Sequence, residues 1–461
     1  MTVENPEVII RRRSVEQPAG EVGHWVKMFD PPQASPPTPE LLDPTNPVPE
    51  VMLAAGLLDG VPAPHTLETS LLHGLSLETW DNRDRPLFFM TFRQANNPAA
   101  PGNYPAPTIR VPRGAVFHAH TQGLGPPPHT IHWHGIEPTP INDGVGHCSM
   151  EIGDYLYQWQ PNFIGLYFYH CHRNTVQHFE FGLFGTVIID PPDAFFASLN
   201  PDGTLNDIAI GAGRDGLRRT AANLRGTPLE GLQDNFNPLG APDPEGEFET
   251  DPHAHTVPYD VEALWVVDDR DSVWSDFAQN ARAFFPAHGT QPGVNDTFFR
   301  GFFHDYNADY WFISGAPVVP LDREKRLGNT GAIDPDLVIP AGLNSGVSGT
   351  QVSINAEVGQ TIRILALCAA YNCARFTFPA DVVINSFDGR ALGVPPFGQY
   401  NRAFLLPAGT PILLSTARRF ECLMRPTRRM DSFATVEFLD TQRGEGPGPL
   451  LQTARIPIVV A

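Results

Sequence analysis

Residues 129–135 have the sequence His-Thr-Ile-His-Trp-His-Gly, and residues 170–172 have the sequence His-Cys-His, followed by His178 and Leu183. Short strand candidates separated by Gly and Pro turns surround both motifs, a pattern typical of β-sandwiches and barrels. Imidazole and thiolate groups are metal ligands. A lone histidine on a strand is usually an ordinary surface or core residue, but so many in one stretch predict a metal site.

The alternation of side chains along a strand divides these residues between two sites. Successive side chains point to opposite faces, so residues two apart share a face. His132 and His134 therefore point one way, and His170 and His172 also share a face, whereas Cys171 points to the opposite side. The four imidazoles can converge on one site while the thiol faces a second.

The thiol side has the ligand types of a blue copper site. His129 and His178 can reach Cys171 from loops, and a trigonal site of two His and one Cys with a weak axial neighbour is typical of blue copper. The thiolate must be deprotonated, which a bound cation enforces. A zinc site normally has four ligands, often with paired cysteines. Copper is therefore the predicted metal, with zinc as the less favoured alternative.

Composition limits the other classes of function. Lys and Arg number 31 against 51 Asp and Glu, a net charge of −20, which disfavours a nucleic-acid partner. No run of 18 apolar residues is present, so no membrane partner is expected. Arg11, Arg12 and Arg13 lack the apolar stretch of an export signal. The compartment is therefore unknown: we expect either a cytoplasmic protein or a processed exported form.

The distribution of strand and turn signals divides the chain. The 48 prolines and 41 glycines suit short strands, and 461 residues exceed one ordinary domain. Short helical pieces are predicted at Leu53–Leu58 and Leu71–Leu72. We predict four segments: a Pro-rich N-terminal extension at 1–81, a copper-binding domain at 82–192, a linker or insert at 193–255, and a second β-rich domain lacking recognisable copper ligands at 256–461.

These motifs resemble those of the multicopper oxidase family of tandem cupredoxin domains. The family's His-x-x-His-x-His-Gly motif matches residues 129–135, and its His-Cys-His motif matches residues 170–172 with the downstream His and Leu. The flanks 104–111, 143–144 and 165–169 are also similar. The resemblance implies an all-β fold of two tandem cupredoxin-like Greek-key β-sandwiches.

The resemblance also implies a role for each ligand. Type 1 copper would be held by His129, Cys171 and His178, with Leu183 in the axial place, where a side chain that cannot ligate favours a strongly oxidising copper. The roles at the other site are His132 for type 2 copper, and His134, His170 and His172 for the type 3 pair.

The second domain departs from the family pattern. The family's O2-reducing cluster takes histidines from two domains, and we place the counterpart of the first motif at Cys373–Pro379 and that of the His-Cys-His strand at Phe420–Arg425, where no histidine occurs. Phe376 and Phe378 are expected to fill the site with apolar core. Cys373 and Cys422 are expected as buried free thiols, with a disulfide as the alternative.

Three ways to complete the cluster remain open. Two first domains could pool their ligands across a dimer, or the cluster could be reduced in size, as in copper nitrite reductases. Other histidines could also contribute: His118, His120, His253, His255, His288 and His304.

The predicted function is a laccase-like, copper-dependent oxidoreductase. A small-molecule or metal-ion reducing substrate gives electrons near His178, and they pass through Cys171 to a His-bound copper site that reduces O2. The alternatives are a nitrite-reductase-like enzyme with a smaller site and a non-catalytic copper or electron-transfer protein. A homo-oligomer, dimer or trimer, is expected.

Overall fold

The structure is a computed structural model that describes most of the two predicted domains and parts of the flanking segments. No helix among the described residues has the length and apolarity needed to cross a membrane. The described residues are 11–14, 65–76, 89–94, 104–112, 116–123, 129–145, 154–159, 161, 163–173, 175–190, 218–233, 255–271, 306–317, 350–394, 402–441 and 448–461.

The first unit, which comprises the described residues up to Asp190, is a sandwich of two sheets. One sheet has the order β3-β2-β5-β7, with β1 also paired to β2, and the other has the order β4-β9-β8-β6. Its elements are β1 Arg11–Ser14, β2 His65–Ser76, β3 Phe89–Gln94, β4 Ala106–Pro112, β5 Val116–Gly123, β6 His132–His134, β7 Asp154–Trp159, β8 Gly165–His170, the helix α1 Thr175–Glu180 and β9 Phe184–Asp190.

The core of the first unit is strongly aromatic. The ring of Trp133 lies 5.2 Å from that of Trp159 and 5.8 Å from that of Tyr169. Strand β8 is buried on both faces. Tyr167 and Tyr169 face this core. Leu166 and Phe168, which alternate with them along β8, face the second unit. The alternation along β8 therefore serves two different interfaces.

The second unit, the described residues from Arg218 onward, is a larger sandwich. Its sheets have the orders β14-β13-β12-β17-β23-β19-β20 and β16-β25-β24-β18-β22, with β10 paired to β11 separately. Its strands are β10 Arg219–Ala221, β11 Thr256–Pro258, β12 Val261–Arg270, β13 Tyr310–Ile313, β14 Ala316–Pro317, β15 Thr350–Gln351, β16 Ile354–Ala356, β17 Ile362–Cys368, β18 Cys373–Thr377, β19 Val382–Phe387, β20 Arg390–Ala391, β21 Phe404–Leu406, β22 Pro411–Leu414, β23 Arg419–Met424, β24 Met430–Leu439 and β25 Leu450–Val460.

The two units repeat one pattern of strand pairing. In the first, β4 is parallel to β9, β9 is antiparallel to β8, and β8 is antiparallel to β6. In the second, β16, β25, β24 and β18 repeat these pairings in the same order. The all-β prediction of two tandem cupredoxin-like sandwiches is confirmed.

This repeat corrects the predicted place of the second His-Cys-His strand. Residues 420–425 fall mainly in β23, which pairs with β17 and β19 and belongs to the other sheet. The counterpart of β8 is β24, whose last residue, Leu439, pairs with Cys373 as His170 pairs with His132. The counterpart positions lack histidine at this corrected place as well.

One other expectation differs from the structure. Leu71 and Leu72 lie in β2, which is parallel to β5, and not in a helical piece, because sheet pairing determines their conformation. Within the predicted linker, Ala222 and Leu224 are buried against Val383 of the second unit. Leu53–Leu58 lies outside the described residues. The bounds of the four predicted segments stay a prediction.

A buried ionic network joins the units. Arg110 pairs with Asp190 at 2.8 Å in the first unit and with Glu262 at 2.6 Å in the second. Arg363, which is fully buried, pairs with Glu262 at 3.2 Å and with Glu421 at 2.8 Å. Burial opposes ionisation of Glu262, but the charges of the two arginines lower its pKa overall.

We predict that Arg363→Met lowers the free energy of unfolding by about 3–5 kcal/mol, because it leaves two buried carboxylates without their shared partner. Arg375→Met is the matched control. It removes the partly exposed pair with Glu437 and should cost less than about 1 kcal/mol. Urea unfolding of both variants measures the difference, and equal losses would contradict the role given to the buried network.

Candidate metal centres

The thiol-side ligands meet in a fully buried cluster. The Sγ atom of Cys171 lies 3.1 Å from Nδ1 of His178 and 3.7 Å from Nδ1 of His129. The ligand atoms of these three residues lie within 4.8 Å of one another. Leu183 is fully buried in the adjoining core, and its carbonyl accepts a hydrogen bond from the Cys171 amide.

Short local segments position these side chains. Cys171 directly follows β8, and His178 lies in helix α1, which the short Cys171-to-β9 connection forms. The carbonyl of His178 accepts a hydrogen bond from the Leu183 amide at 2.9 Å, and this contact closes the connection over the thiol. Two members of the predicted two-His, one-Cys arrangement, Cys171 and His178, are therefore close in sequence at one strand end, and His129 joins them from 42 residues earlier in the chain.

Burial favours the neutral form of each of these groups. It lowers the pKa of His129 to about 4 and that of His178 to about 3, with a further contribution from the nearby His129. It raises the pKa of the Cys171 thiol to about 12. Two neutral imidazoles and a thiol that ionises only with a cation nearby match the donor set of a soft metal.

The second cluster forms on the opposite side of the same strands. Ligand atoms of His132, His134 and His170 lie within 4.8 Å of one another. Nδ1 of His134 is 3.2 Å from Nε2 of His170. His172 lies beside them, with its ring 5.0 Å from that of His132 and 5.8 Å from that of His170. Three of the four imidazoles predicted to converge thus bring their ligand atoms together, and the ring of His172 lies next to them.

Hydrogen bonds on the outer side of two rings fix which nitrogens face the cluster. Nδ1 of His132 lies 2.7 Å from the carbonyl oxygen of Asp143 and 3.1 Å from its carboxylate. Nδ1 of His170 lies 2.9 Å from the carbonyl oxygen of Cys171. Each ring thus donates Nδ1–H outward and keeps Nε2 as a lone-pair donor, as metal-binding histidines commonly do. The Asp143 contact was not foreseen from its flanking position in the sequence.

Two arginines of the second unit, Arg419 and Arg390, lie next to this cluster. Burial, followed by the charge of Arg419, lowers the pKa of His134 to about 3. A Cβ added to Gly135 would lie 2.8 Å from Nη2 of Arg419, and the carbonyl oxygen of Gly135 lies 3.4 Å from Nη2 of Arg390. No local sequence signal predicted these arginines, because their position depends on how the units pack.

The other histidines considered in the sequence are not brought to these clusters within the described part of the chain. His255 is buried in the second unit, where its ring meets the side chain of Gln233 at 2.9 Å. His118 and His120 lie in β5, but their side chains are outside the described set, as are His253, His288 and His304. Cys373 and Cys422 are free thiols, and the alternative of a disulfide is not formed; Cys422 is buried as expected, whereas Cys373 is only partly buried.

Residues 92–194 match a family model described as multicopper oxidase. This segment contains both ligand clusters. Residues 92–194 are a multicopper oxidase domain. The family resemblance of the two sequence motifs is thereby confirmed for the part of the chain that carries them.

Curated relatives support the multicopper oxidase domain over a limited length. L-ascorbate oxidase of Cucurbita maxima is 29% identical over 140 residues, which are 28% of this chain and 23% of that protein. Multicopper oxidase CTB12 of Cercospora beticola is 41% identical over 70 residues, 14% of this chain and 11% of that protein. The chain thus aligns with less than a quarter of these relatives, which leaves the activity of the whole protein to be proposed.

A solved structure aligns over more of the chain. The blue copper oxidase from Nitrosomonas europaea covers 85% of this chain and 85% of its own, with a TM-score of 0.46 and 16% sequence identity.

We predict that acid destabilises the metal-free protein through its buried histidines. Their folded pKa values of about 4 and 3 lie below the ordinary 6.5, so the unfolded chain takes up protons first as the pH falls. The stability that the two histidines contribute is fully present above about pH 6.5 and is lost as the pH falls through their folded pKa values of about 4 and 3, with a slope of up to about 1.4 kcal/mol per pH unit for each histidine. Urea unfolding at several pH values measures this slope. His178→Gln should reduce it, and a slope equal to that of the unsubstituted protein would contradict the prediction.

Proposed function

We propose that this chain is a copper-dependent oxidoreductase of the multicopper oxidase, laccase-like type, which oxidises a reducing substrate and reduces O2. One observation carries the proposal: two donor sets of different chemistry meet at a single tripeptide. Cys171 belongs to the buried thiol cluster, and its neighbours His170 and His172 belong to the imidazole cluster. Bound copper would supply the one-electron chemistry and the binding of oxygen.

The protein's own residues would hold the two metal positions apart and connect them through the backbone. His129, Cys171 and His178 would hold type 1 copper in a buried, aromatic-lined core, beside the side chain of Leu183, which cannot ligate a metal. His132, His134, His170 and His172 would hold the second copper set. The covalent bonds from Cys171 to its two neighbours give a short path between the sites.

Access to the thiol cluster is indirect. His178 and Cys171 are fully buried, whereas Val176, on the same helix as His178, is half exposed. A reducing substrate, a small molecule or a metal ion, would therefore deliver electrons across helix α1 without touching the ligand. Three other features stay predictions: a homo-oligomeric state, the cellular compartment, and a dimer in which two first domains pool their histidine ligands.

A smaller copper site is the second candidate, and one observation favours it. The positions in β18 and β24 that correspond to His132, His134 and His170 hold Cys373, Arg375 and Leu439. This unit therefore offers no imidazole there to complete a larger cluster. An electron-transfer protein would need only the thiol-side ligands of the first unit, and a reductase would have to hold its second copper with the histidines of the first unit alone.

Copper content and spectra of Cys171→Ser test the proposal. The unsubstituted protein should bind at least two coppers per chain and show the intense blue band of a thiolate-to-copper transition. The variant should lose the blue band and oxidase activity while it retains copper at the histidine cluster. Cys422→Ser, at a buried free thiol of the second unit, is the control and should keep both.

Three results would change the assignment. A blue protein with one copper per chain and no O2 consumption would favour the electron-transfer protein. Copper at both clusters with nitrite reduction and no O2 consumption would favour the reductase. An unchanged spectrum in Cys171→Ser would contradict the proposed type 1 ligands.

A further inference from the structure

We infer that the second unit holds helix α1 at both ends and thereby positions His178, the proposed type 1 copper ligand on this helix. Tyr371 contacts the first turn of the helix, and Arg270 and Asp271 contact its last residue. We call these three positioning residues the α1 anchors. The inference rests on the proposed copper beside Cys171. It gives the second unit, which lacks histidine at the counterpart ligand positions, a part in the copper chemistry of the first.

Helix α1 presents one face to the second unit and the opposite face to the thiol cluster. Val176, Phe179 and Glu180 are three and four residues apart and therefore lie on one face of the helix. His178 lies on the opposite face, where its Nδ1 is 3.1 Å from Sγ of Cys171. Phe179 packs in an apolar cluster formed by both units. A contact from the second unit to this face therefore acts on His178 through the helix.

The hydroxyl of Tyr371 holds the first turn of α1. It donates a hydrogen bond to the carbonyl oxygen of Val176 at 2.7 Å. The ring centroid of Tyr371 is 6.1 Å from that of Phe179, with the two rings edge to face. The side chain of Val176 is half exposed, whereas His178 is fully buried. The part of the helix that borders solvent is thus joined to the second unit.

Buried hydrogen bonds of the second unit hold Tyr371 in place. Oδ1 of Asp269, in β12, accepts hydrogen bonds from the Tyr371 amide and from the Tyr306 hydroxyl, both at 2.8 Å. Oδ2 of the same carboxylate accepts a hydrogen bond from Nδ2 of Asn372 at 2.7 Å. The ring of Tyr306 lies 5.1 Å from that of Tyr371. Tyr371 is therefore a preorganised donor, because the second unit fixes both its backbone and its ring.

The end of β12 holds the last residue of α1. Glu180 is buried, and its Oε1 accepts a hydrogen bond from the Asp271 amide at 2.9 Å. The same oxygen lies 3.4 Å from Nε of Arg270. The guanidinium carbon of Arg270 is 5.8 Å from the ring centroid of Phe181, the residue after the helix. The second unit thus contacts α1 on both sides of His178 in the sequence.

The position of α1 matters for the thiol cluster because the connection from Cys171 to β9 is short. The carbonyl of His178 accepts a hydrogen bond from the Leu183 amide, and the carbonyl of Leu183 accepts one from the Cys171 amide. A shift of the helix would therefore move a ligand and strain both hydrogen bonds. If Tyr371 served only to pack the two units together, the loss of any comparable hydrogen bond between them would affect the thiol cluster equally.

The test compares Tyr371→Phe with Tyr259→Phe in copper-loaded protein. Each variant removes one hydroxyl of the second unit that donates a hydrogen bond at 2.7 Å, but that of Tyr259 donates to Glu262 at the other end of β12. A chelator should remove the blue copper about fivefold faster from Tyr371→Phe, as expected for the loss of one hydrogen bond. Decay of the blue band measures this rate, and Tyr259→Phe should match the unsubstituted protein.

Hydrogen exchange of the metal-free protein is a second measurement that needs no copper. The Leu183 amide should exchange about fivefold faster in Tyr371→Phe and at the unsubstituted rate in Tyr259→Phe. Unchanged copper release and unchanged exchange in Tyr371→Phe would overturn this inference and leave the proposed function standing. A protein that binds no copper beside Cys171 would overturn the proposed function, and faster Leu183 exchange in Tyr371→Phe would still support the α1 anchors.

Discussion

The structure depends on the alternation of side chains across the end of strand β8. Tyr167, Tyr169 and Cys171 point into the aromatic core of the first unit, and Leu166, Phe168 and His170 point towards the second unit. A shift of one residue would exchange these faces and place the thiol among the imidazoles. Burial on both faces therefore fixes the register on which both candidate metal sites depend.

The packing of the two units determines what borders the histidine cluster. Apolar side chains of β8 and β9 meet those of β12 and β17, and the buried Arg110, Glu262 and Arg363 network lies beside them. This contact uses the sheet of the second unit that contains β23. The strands that correspond to the ligand strands belong to the other sheet, where Arg375 pairs with Glu437. Within the part of the chain that the structure describes, the histidine cluster consequently faces arginine and not a second set of ligands.

Sequence patterns predicted the features that are local to one strand or one connection. The spacing in residues 129–135 and 170–172 was enough to divide the ligands between two sites, because strand alternation is a local rule. The assignment of the second His-Cys-His strand to residues 420–425 was wrong, since β23 is buried on both faces and shows no alternation that identifies its sheet. Arg419 could not be predicted because its contact with Gly135 joins residues distant in sequence.

Anomalous scattering at the copper edge, from crystals of the copper-loaded protein, tests the central claim most directly. The claim is that one strand end separates two copper positions. We expect one anomalous peak among His129, Cys171 and His178, and a second on the opposite side of β8 among His132, His134 and His170. A peak at the imidazoles with none beside Cys171, or a single copper shared by both groups, would contradict the account.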